Sequence, residues 1–252
     1  MTIDVGNSLT KATLFEDGKV KEKVAFENAS FPDFVTLSEK WTPFDVIFSS
    51  TGVVSGINPE KLPVGVEAKI LMLENGLDLP VNFDAYKSAT LGKDRIAAAC
   101  GAAAFYPGES VLIVDAGTAL TMDILLDGKN FLGGNISPGL KMRFMDLNSH
   151  TAALPLMNEK GDIPVWGDDT ETAVRAGVVN GLIYEIYLSA QIARKEFNCA
   201  KIILTGGNAE FLVARLEKLI DQFKFEKLSE IECQPDLVAL GLLNIYYLNE
   251  KD

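Results

Sequence analysis

The chain has 252 residues, 48% of them apolar, and its 35 acidic against 23 basic side chains give a net charge of −12; that is apolar material for one large core or two small ones. The negative balance repels a phosphate backbone and an anionic lipid surface alike, which argues against nucleic acid and membrane partners. No apolar run approaches the ~20 residues that span a bilayer, and the opening MTIDVG places an acid where a secretory signal carries its basic end, so a cytoplasmic protein is expected.

In chain order, TIDV reads as a short apolar strand, followed by TKATLF and KVKEKVAF as second and third strands about a hairpin turn at Asp17-Gly18. The stretch at 52–65, GVVSGINPEKLPVG, is loop-like. RIAAACGAAAFYP is a small-residue helix stopped at Pro107-Gly108, which marks the boundary between a first domain, 1–108, and a second, 109–252. The strand, glycine turn, strand, hairpin, strand order then returns as VLIVDA, LTMDILL and KNFLGGNI, with Asp127-Gly128 at the hairpin. A shift of 111 residues (115 − 4) lays Asp4 on Asp115, Gly6 on Gly117, Leu9 on Leu120 and Thr10 on Thr121, so two related domains arising by duplication are expected. Residues 170–197 form a long helix apolar enough for burial or a subunit interface, and its Gly177 and Gly181 permit close helix approach. KIILTGGNAEFLVARLEKLI reads as a buried strand, a Thr205-Gly206-Gly207 turn and a helix capped near Asn208; residues 235–249 form a terminal helix that needs covering.

The duplicated turns carry the chemistry. A glycine at a tight strand-to-strand turn, Gly6 or Gly117, lets backbone N–H groups point at phosphate oxygens. An acid beside such a nest is repulsive alone, so Asp4 and Asp115 make sense if Mg²⁺ or another cation lies between carboxylate and phosphate; the alternative is that each Asp hydrogen-bonds its own turn. No GxG occurs, which removes the dinucleotide fingerprint and the protein-kinase glycine loop, and Leu140 stands where a Walker A lysine would follow Gly139. Cys100, Cys199 and Cys233 lack any CxxC spacing and read as reduced structural residues. The single histidine, His150, reads as a surface or helix-end residue, which leaves proton transfer to a carboxylate.

Two phosphate-type turns on duplicated units, then a glycine turn suited to an adenosine, is the layout of the actin-like ATPase and sugar-kinase superfamily. With LGKDR (Leu91–Arg95), DAGTA (Asp115–Ala119), GGNISPG (Gly133–Gly139), Leu154-Pro155 and GDDT (Gly167–Thr170) in that order, the chain resembles the type III pantothenate kinases along nearly its whole length. The resemblance implies an α/β fold of duplicated ribonuclease H-like (actin-like ATPase) domains, mixed sheets flanked by helices, with nucleotide in the interdomain cleft. It implies ATP-dependent phosphorylation of pantothenate to 4'-phosphopantothenate, the first step of coenzyme A biosynthesis. Asp94 falls on the family's catalytic Asp, suited to accept the proton of the attacking hydroxyl. Asp4, Gly6, Asn7, Ser8, Lys11, Gly117, Thr118, Gly133, Gly134 and Gly206 fall on the nucleotide and phosphate site, with Ser8 where the family more often has Thr. Tyr86, Gly92, Lys93, Arg95 and Thr170 fall on the pantothenate site, which the family completes across a homodimer interface. Asp115 is implied as the ligand of a monovalent cation, K⁺ or NH₄⁺, and Asp4 as a ligand of Mg²⁺, directly or through water. Trp166, just before GDDT, is unusual and reads as a core or interface tryptophan. Two other readings stay open: a superfamily kinase with another small-molecule acceptor, against which GKDR with GDDT speaks, and a nucleotide-binding regulator of the same fold, which has no need of Asp94.

Overall fold

The computed structural model describes residues 1–6, 8–28, 41, 45–50, 70–73, 76–87, 90–228 and 230–250. Its contacts divide the chain into two units, Met1–Tyr106 with Leu237–Asp252, and Pro107–Asp236.

The first unit is built on β1 (Thr2–Val5), β2 (Leu9–Glu16), β3 (Lys19–Glu27), β4 (Val46–Ser50) and β5 (Ile70–Met72), in the order β3-β2-β1-β4-β5. The hairpin β2–β3 turns through Asp17 at φ 50° and Gly18 at φ 74°, the left-handed pair that matches strand twist and that Asp-Gly adopts at low cost. β3 alternates outward Lys19, Lys21, Lys23 and Glu27 with half-buried Val20, Val24 and Phe26, which keeps this edge strand soluble. β1 pairs antiparallel with β2 and parallel with β4, and Ile3, Val5, Ala12, Val46 and Phe48 form the core there. Against this sheet lie α1 (Lys93–Phe105) and the terminal helix α5 (Leu237–Asn249).

The second unit repeats the plan: β6 (Val111–Ala116), β7 (Ala119–Leu126), β8 (Asn130–Pro138), β9 (Lys201–Thr205) and β10 (Glu230–Cys233) stand in the order β8-β7-β6-β9-β10. The hairpin turn has Asp127 at φ 52° and Gly128 at φ 60°, and the ladder slips at Ile124/Leu125 as the first one slips at Leu14/Phe15. Both sheets are mixed and of one topology, as the duplication requires. α2 (Leu140–Ser149), α3 (Thr170–Phe197) and α4 (Ala209–Phe223) cover the core, in which Leu182, Ile183 and Ile186 of α3 meet Leu112, Val114 and Leu120 of the sheet. α3 starts with a reciprocal cap, Asp169 accepting from Thr172 N–H while the Thr172 hydroxyl accepts from Asp169 N–H, and it ends at Asn198 in the left-handed region.

Beside the expected 1–108 and 109–252, the first unit ends at Tyr106, and α5, last in sequence, packs with it. The reason is backbone contact at two glycines. A methyl group on Gly101 would overlap the Leu237 carbonyl and one on Gly241 the Ala97 carbonyl, so α1 and α5 approach as only glycine allows. Tyr246 donates to Asp45 at 2.6 Å, and Asn249 exchanges two hydrogen bonds with the Asp78 backbone, both inside the same unit. No disulfide joins the three cysteines, and among the described residues no helix is long and apolar enough to cross a membrane. The loop-like reading of 52–65 lies outside the described residues.

Candidate active site

In the first unit the site begins where β1 ends. The β1–β2 turn closes with Gly6 N–H donating to Leu9 O at 3.0 Å. Asn28, just past β3, latches the turn: its N–H donates to Ser8 O at 3.2 Å, its side-chain amide donates to Gly6 O at 2.8 Å, and its Oδ1 accepts from Thr10 at 2.9 Å. The second unit closes alike, with Gly117 N–H donating to Ala119 O at 3.1 Å and Gly139 N–H to Thr118 O at 3.1 Å. Both turn glycines thus close their turns through their own N–H groups, and Asn28 and Gly139 are turn-holding residues that sequence reasoning passed over. Asn7 lies outside the described residues; Ser8 and Thr118 are exposed on their turns.

Asp4 is only partly covered as a residue, yet its Oδ1 is fully buried and without a hydrogen-bond partner. Its pKa is pushed up from 3.8 to about 6, first by burial and further by the charge of Asp94, while Lys11 and the neighbouring Ser49 hydroxyl pull it down. Ser49 faces Asp4 across the β1–β4 ladder, but its Oγ too meets no partner in hydrogen-bond geometry. Lys11 sits opposite Asp4 on β2. Asp4, Lys11 and Asp94 therefore share one electrostatic neighbourhood.

Asp94 occupies the first turn of α1, where the Arg95 N–H donates to its Oδ1 at 2.9 Å and its Oδ2 makes no hydrogen bond among the described residues. Arg95 is 5% exposed; its Nη1 donates to the Tyr86 hydroxyl at 3.2 Å and its Cζ stands 5.3 Å from the centroid of that ring. The structure thus brings Tyr86, Gly92, Lys93, Asp94 and Arg95 together at one helix mouth.

In the second unit Asp115 stands at the end of β6 opposite Thr205 on β9. Gly206 turns away at φ +88°, and a methyl group there would overlap Asp115 Oδ1, so the TGG turn is shaped around this carboxylate. Asn208 begins α4 without capping it: its backbone and side-chain amides both donate to Ala116 O, at 3.2 and 3.3 Å, which ties the turn to β6. At Gly134 the missing side chain is used by the sheet, where a Cβ would overlap Met122 O. Gly133 lies beside it at the slipped register of β8, with φ 103°.

Thr170 is exposed at the start of α3, on a cleft of 850 Å³ shared with Pro138, Arg143, His150, Thr151 and Val174. The cleft walls are mostly apolar. His150 is the C-cap of α2, a helix-end residue as expected, and it also reaches this cleft. Arg143 is held by Pro138 O, Ser137 Oγ and Glu185, fixing the SPG segment to α3. The loop entering GDDT is clamped as well, Arg215 donating to Ile163 O at 2.7 Å and Asn180 to Pro164 O at 2.8 Å, with Arg215 also donating to Asn180 Oδ1 at 2.8 Å. Within GDDT, Asp169 is the helix cap and its carboxyl is held below the usual range by Thr172. Trp166 is 88% exposed, which excludes a core position.

Twinned mixed sheets of one strand order, each with an aspartate next to last on a strand that leads into a tight turn, define a duplicated α/β fold. Two solved structures share the fold over the whole chain: a protein described as a Baf family transcriptional activator from Campylobacter jejuni (TM-score 0.61, 21% identity, covering 100% of this chain and 99% of that one) and the activator of 2-hydroxyisocaproyl-CoA dehydratase from Clostridium difficile with bound ADPNP (TM-score 0.53, 14% identity, 98% and 94%). The family of type III pantothenate kinases matches residues 1–192, and the type III pantothenate kinase of Phocaeicola vulgatus is 34% identical over 255 aligned positions, covering 100% of this chain and 99% of its own. The chain belongs to the type III pantothenate kinase family.

Proposed function

We propose that this protein transfers the γ-phosphoryl group of ATP to pantothenate, forming 4'-phosphopantothenate and ADP in the cytoplasm as the first step of coenzyme A biosynthesis. The observation that carries the reading, beside family membership, is the Asp94 carboxylate at the mouth of α1, one oxygen pinned by a backbone N–H and the other unengaged among the described residues, within electrostatic reach of Asp4. The free oxygen accepts the proton of the pantothenate hydroxyl as that oxygen attacks phosphorus, and the bond to the bridging oxygen of ADP breaks. Pinning holds the base in one orientation, which matters more than its basicity for a loose phosphoryl transfer. Arg95, fixed against Tyr86, orients Asp94 and offsets phosphate charge, and Gly92 and Lys93 border the acceptor.

Lys11, Ser8, Thr118 and Gly206 are assigned to the phosphates and nucleotide on the family resemblance. The residues fit a divalent cation at Asp4, where a buried carboxylate oxygen lacks a partner, and a monovalent cation, K⁺ or NH₄⁺, at Asp115. When bound, Mg²⁺ neutralises charge on the transferring phosphoryl group. Among the described residues no cluster of three His, Cys, Asp or Glu forms a protein cage, which suits a cation shared with substrate phosphates.

The cleft at Thr170 suits the acceptor, since pantothenate combines a branched apolar carbon with hydroxyl and amide groups, and Val174 and Leu154 stand beside Thr151 and Thr170. A homodimer is supported by α3, whose exposed face carries Gly177, Tyr184, Leu188 and Ile192 where a solvated helix carries charge. The test is a coupled assay of ADP release with ATP and pantothenate, run with KCl or choline chloride. Pantothenate-dependent turnover that requires K⁺ supports the reading; ATP turnover indifferent to pantothenate contradicts it.

A further inference from the structure

We infer that Ser49 and Thr205 are cation ligands, each completing with its neighbouring aspartate a carboxylate–hydroxyl seat that the duplicated fold builds once in each unit. The inference deepens the kinase reading and rests on it for the identity of the cations. In a parallel ladder, register partners stand side by side and project to the same face of the sheet. Asp4 is the partner of Ser49, and Asp115 the partner of Thr205, so the same pair recurs at the ends of parallel strands in both sheets. Carboxyl ends of such strands are where open α/β sheets take their ligands.

Both hydroxyls are orphans. Ser49 is 0% and Thr205 1% exposed, and neither hydroxyl oxygen has a hydrogen-bond partner. An unsatisfied buried hydroxyl is unfavourable, and the strands that carry them, VIFSS and KIILT, are otherwise mainly apolar, so Ala or Val would suit the core better. A Cβ on Gly206, the residue after Thr205, would overlap Asp115 Oδ1, and Asp4 Oδ1 is buried without a partner on the strand paired with Ser49. Oxygen atoms of this kind, one charged and one neutral, are what a hard cation takes, and its arrival satisfies them together.

The seats differ on their other side. Lys11 stands across from Asp4, whereas Thr121 stands across from Asp115. The first carboxylate is therefore partly offset and suits a cation that arrives with nucleotide phosphates; the monovalent ion at the second follows from the proposed function.

The experiment uses the full-length chain with Ser49→Ala, Thr205→Val and the hydroxyl-preserving Thr205→Ser. Mn²⁺ binding is read by electron paramagnetic resonance in the presence of ADP, and monovalent binding by the rise in thermal midpoint in KCl over choline chloride. Ser49→Ala is expected to weaken Mn²⁺ about tenfold, and Thr205→Val to abolish the KCl-dependent rise, which Thr205→Ser retains. In metal-free choline buffer neither variant melts below wild type, because each removes a group that had no partner. Unchanged Mn²⁺ affinity and an unchanged KCl response overturn the inference, as does a lower metal-free midpoint with cation binding intact, which marks packing roles. Wild-type cation binding without pantothenate phosphorylation sinks the acceptor assignment alone and leaves the seats standing.

Discussion

Gly101 of α1 and Gly241 of α5 meet backbone to backbone, and the helix they lock in place carries Asp94 on its first turn. Gly241→Ala is expected to force the helices apart and cost ~1–3 kcal/mol, the usual price of overpacking. Because Asp94 rides on α1, kcat should fall as well although the glycine touches no substrate. Urea unfolding and kcat measured together check this, and a variant matching wild type in both contradicts it.

The buried carboxyl of Asp4 predicts a pH dependence of stability. Its folded pKa, pushed up to about 6 by burial, exceeds the ordinary 3.8, so the stability it contributes is fully present below pH ~4 and is lost as pH rises through about 6. Asp4→Asn should therefore be more stable than wild type at pH 8 without cation, by on the order of 2 kcal/mol, with the gap narrowing toward pH 5. Adding Mg²⁺ and ADP should raise wild type and leave the variant unmoved. An unfolding series in which the gap is independent of pH refutes this account of Asp4.

What the sequence makes legible here follows from where each signal lies. The Asp17-Gly18 and Asp127-Gly128 hairpins are local, because the residues needing positive φ announce themselves. The span of α3, Thr170–Phe197, was likewise readable between the Asp169 cap and the left-handed Asn198. β4 was missed, since VIFSS is five residues long without a turn signal, and with it Ser49. α2 carries Leu140, Phe144 and Leu147 at helical spacing but has no side-chain cap at Gly139 to announce its start. The allegiance of α5 is invisible in order along the chain: it depends on Gly101 finding Gly241, a contact between two unremarked glycines. Asp94 at a helix mouth was legible through GKDR, whereas the clamp of Arg215 and Asn180 on Ile163 and Pro164 joins residues that no motif links.

Asn28 holds the first phosphate-type turn through Gly6 O and Thr10. Asn28→Ala removes both side-chain bonds, worth roughly 1–2 kcal/mol, so ATP should bind about tenfold more weakly with kcat at saturation little changed. Initial rates over an ATP titration distinguish this from a catalytic defect; a fall in kcat with unchanged KM for ATP disproves the latch.

Leu188 is 60% exposed on α3. Leu188→Glu places a charge on the proposed subunit face and should yield monomers by light scattering with the helical circular dichroism retained. Loss of dimer should raise KM for pantothenate more than KM for ATP. A variant that stays dimeric, or a wild type that is monomeric at micromolar concentration, removes α3 as the seam.

The most direct test of the central claim is kcat of Asp94→Asn measured beside its affinity for Mg²⁺ and ADP. Asparagine keeps the shape and the bond from Arg95 N–H but cannot take up a proton. The expected result is intact folding and nucleotide binding with kcat reduced ~10²- to 10⁴-fold, nearer the lower figure because a loose transition state leans less on the base. A kcat within about threefold of wild type would make Asp94 a helix-start residue only, and a collapse of nucleotide affinity would move it from the acceptor to the phosphate site.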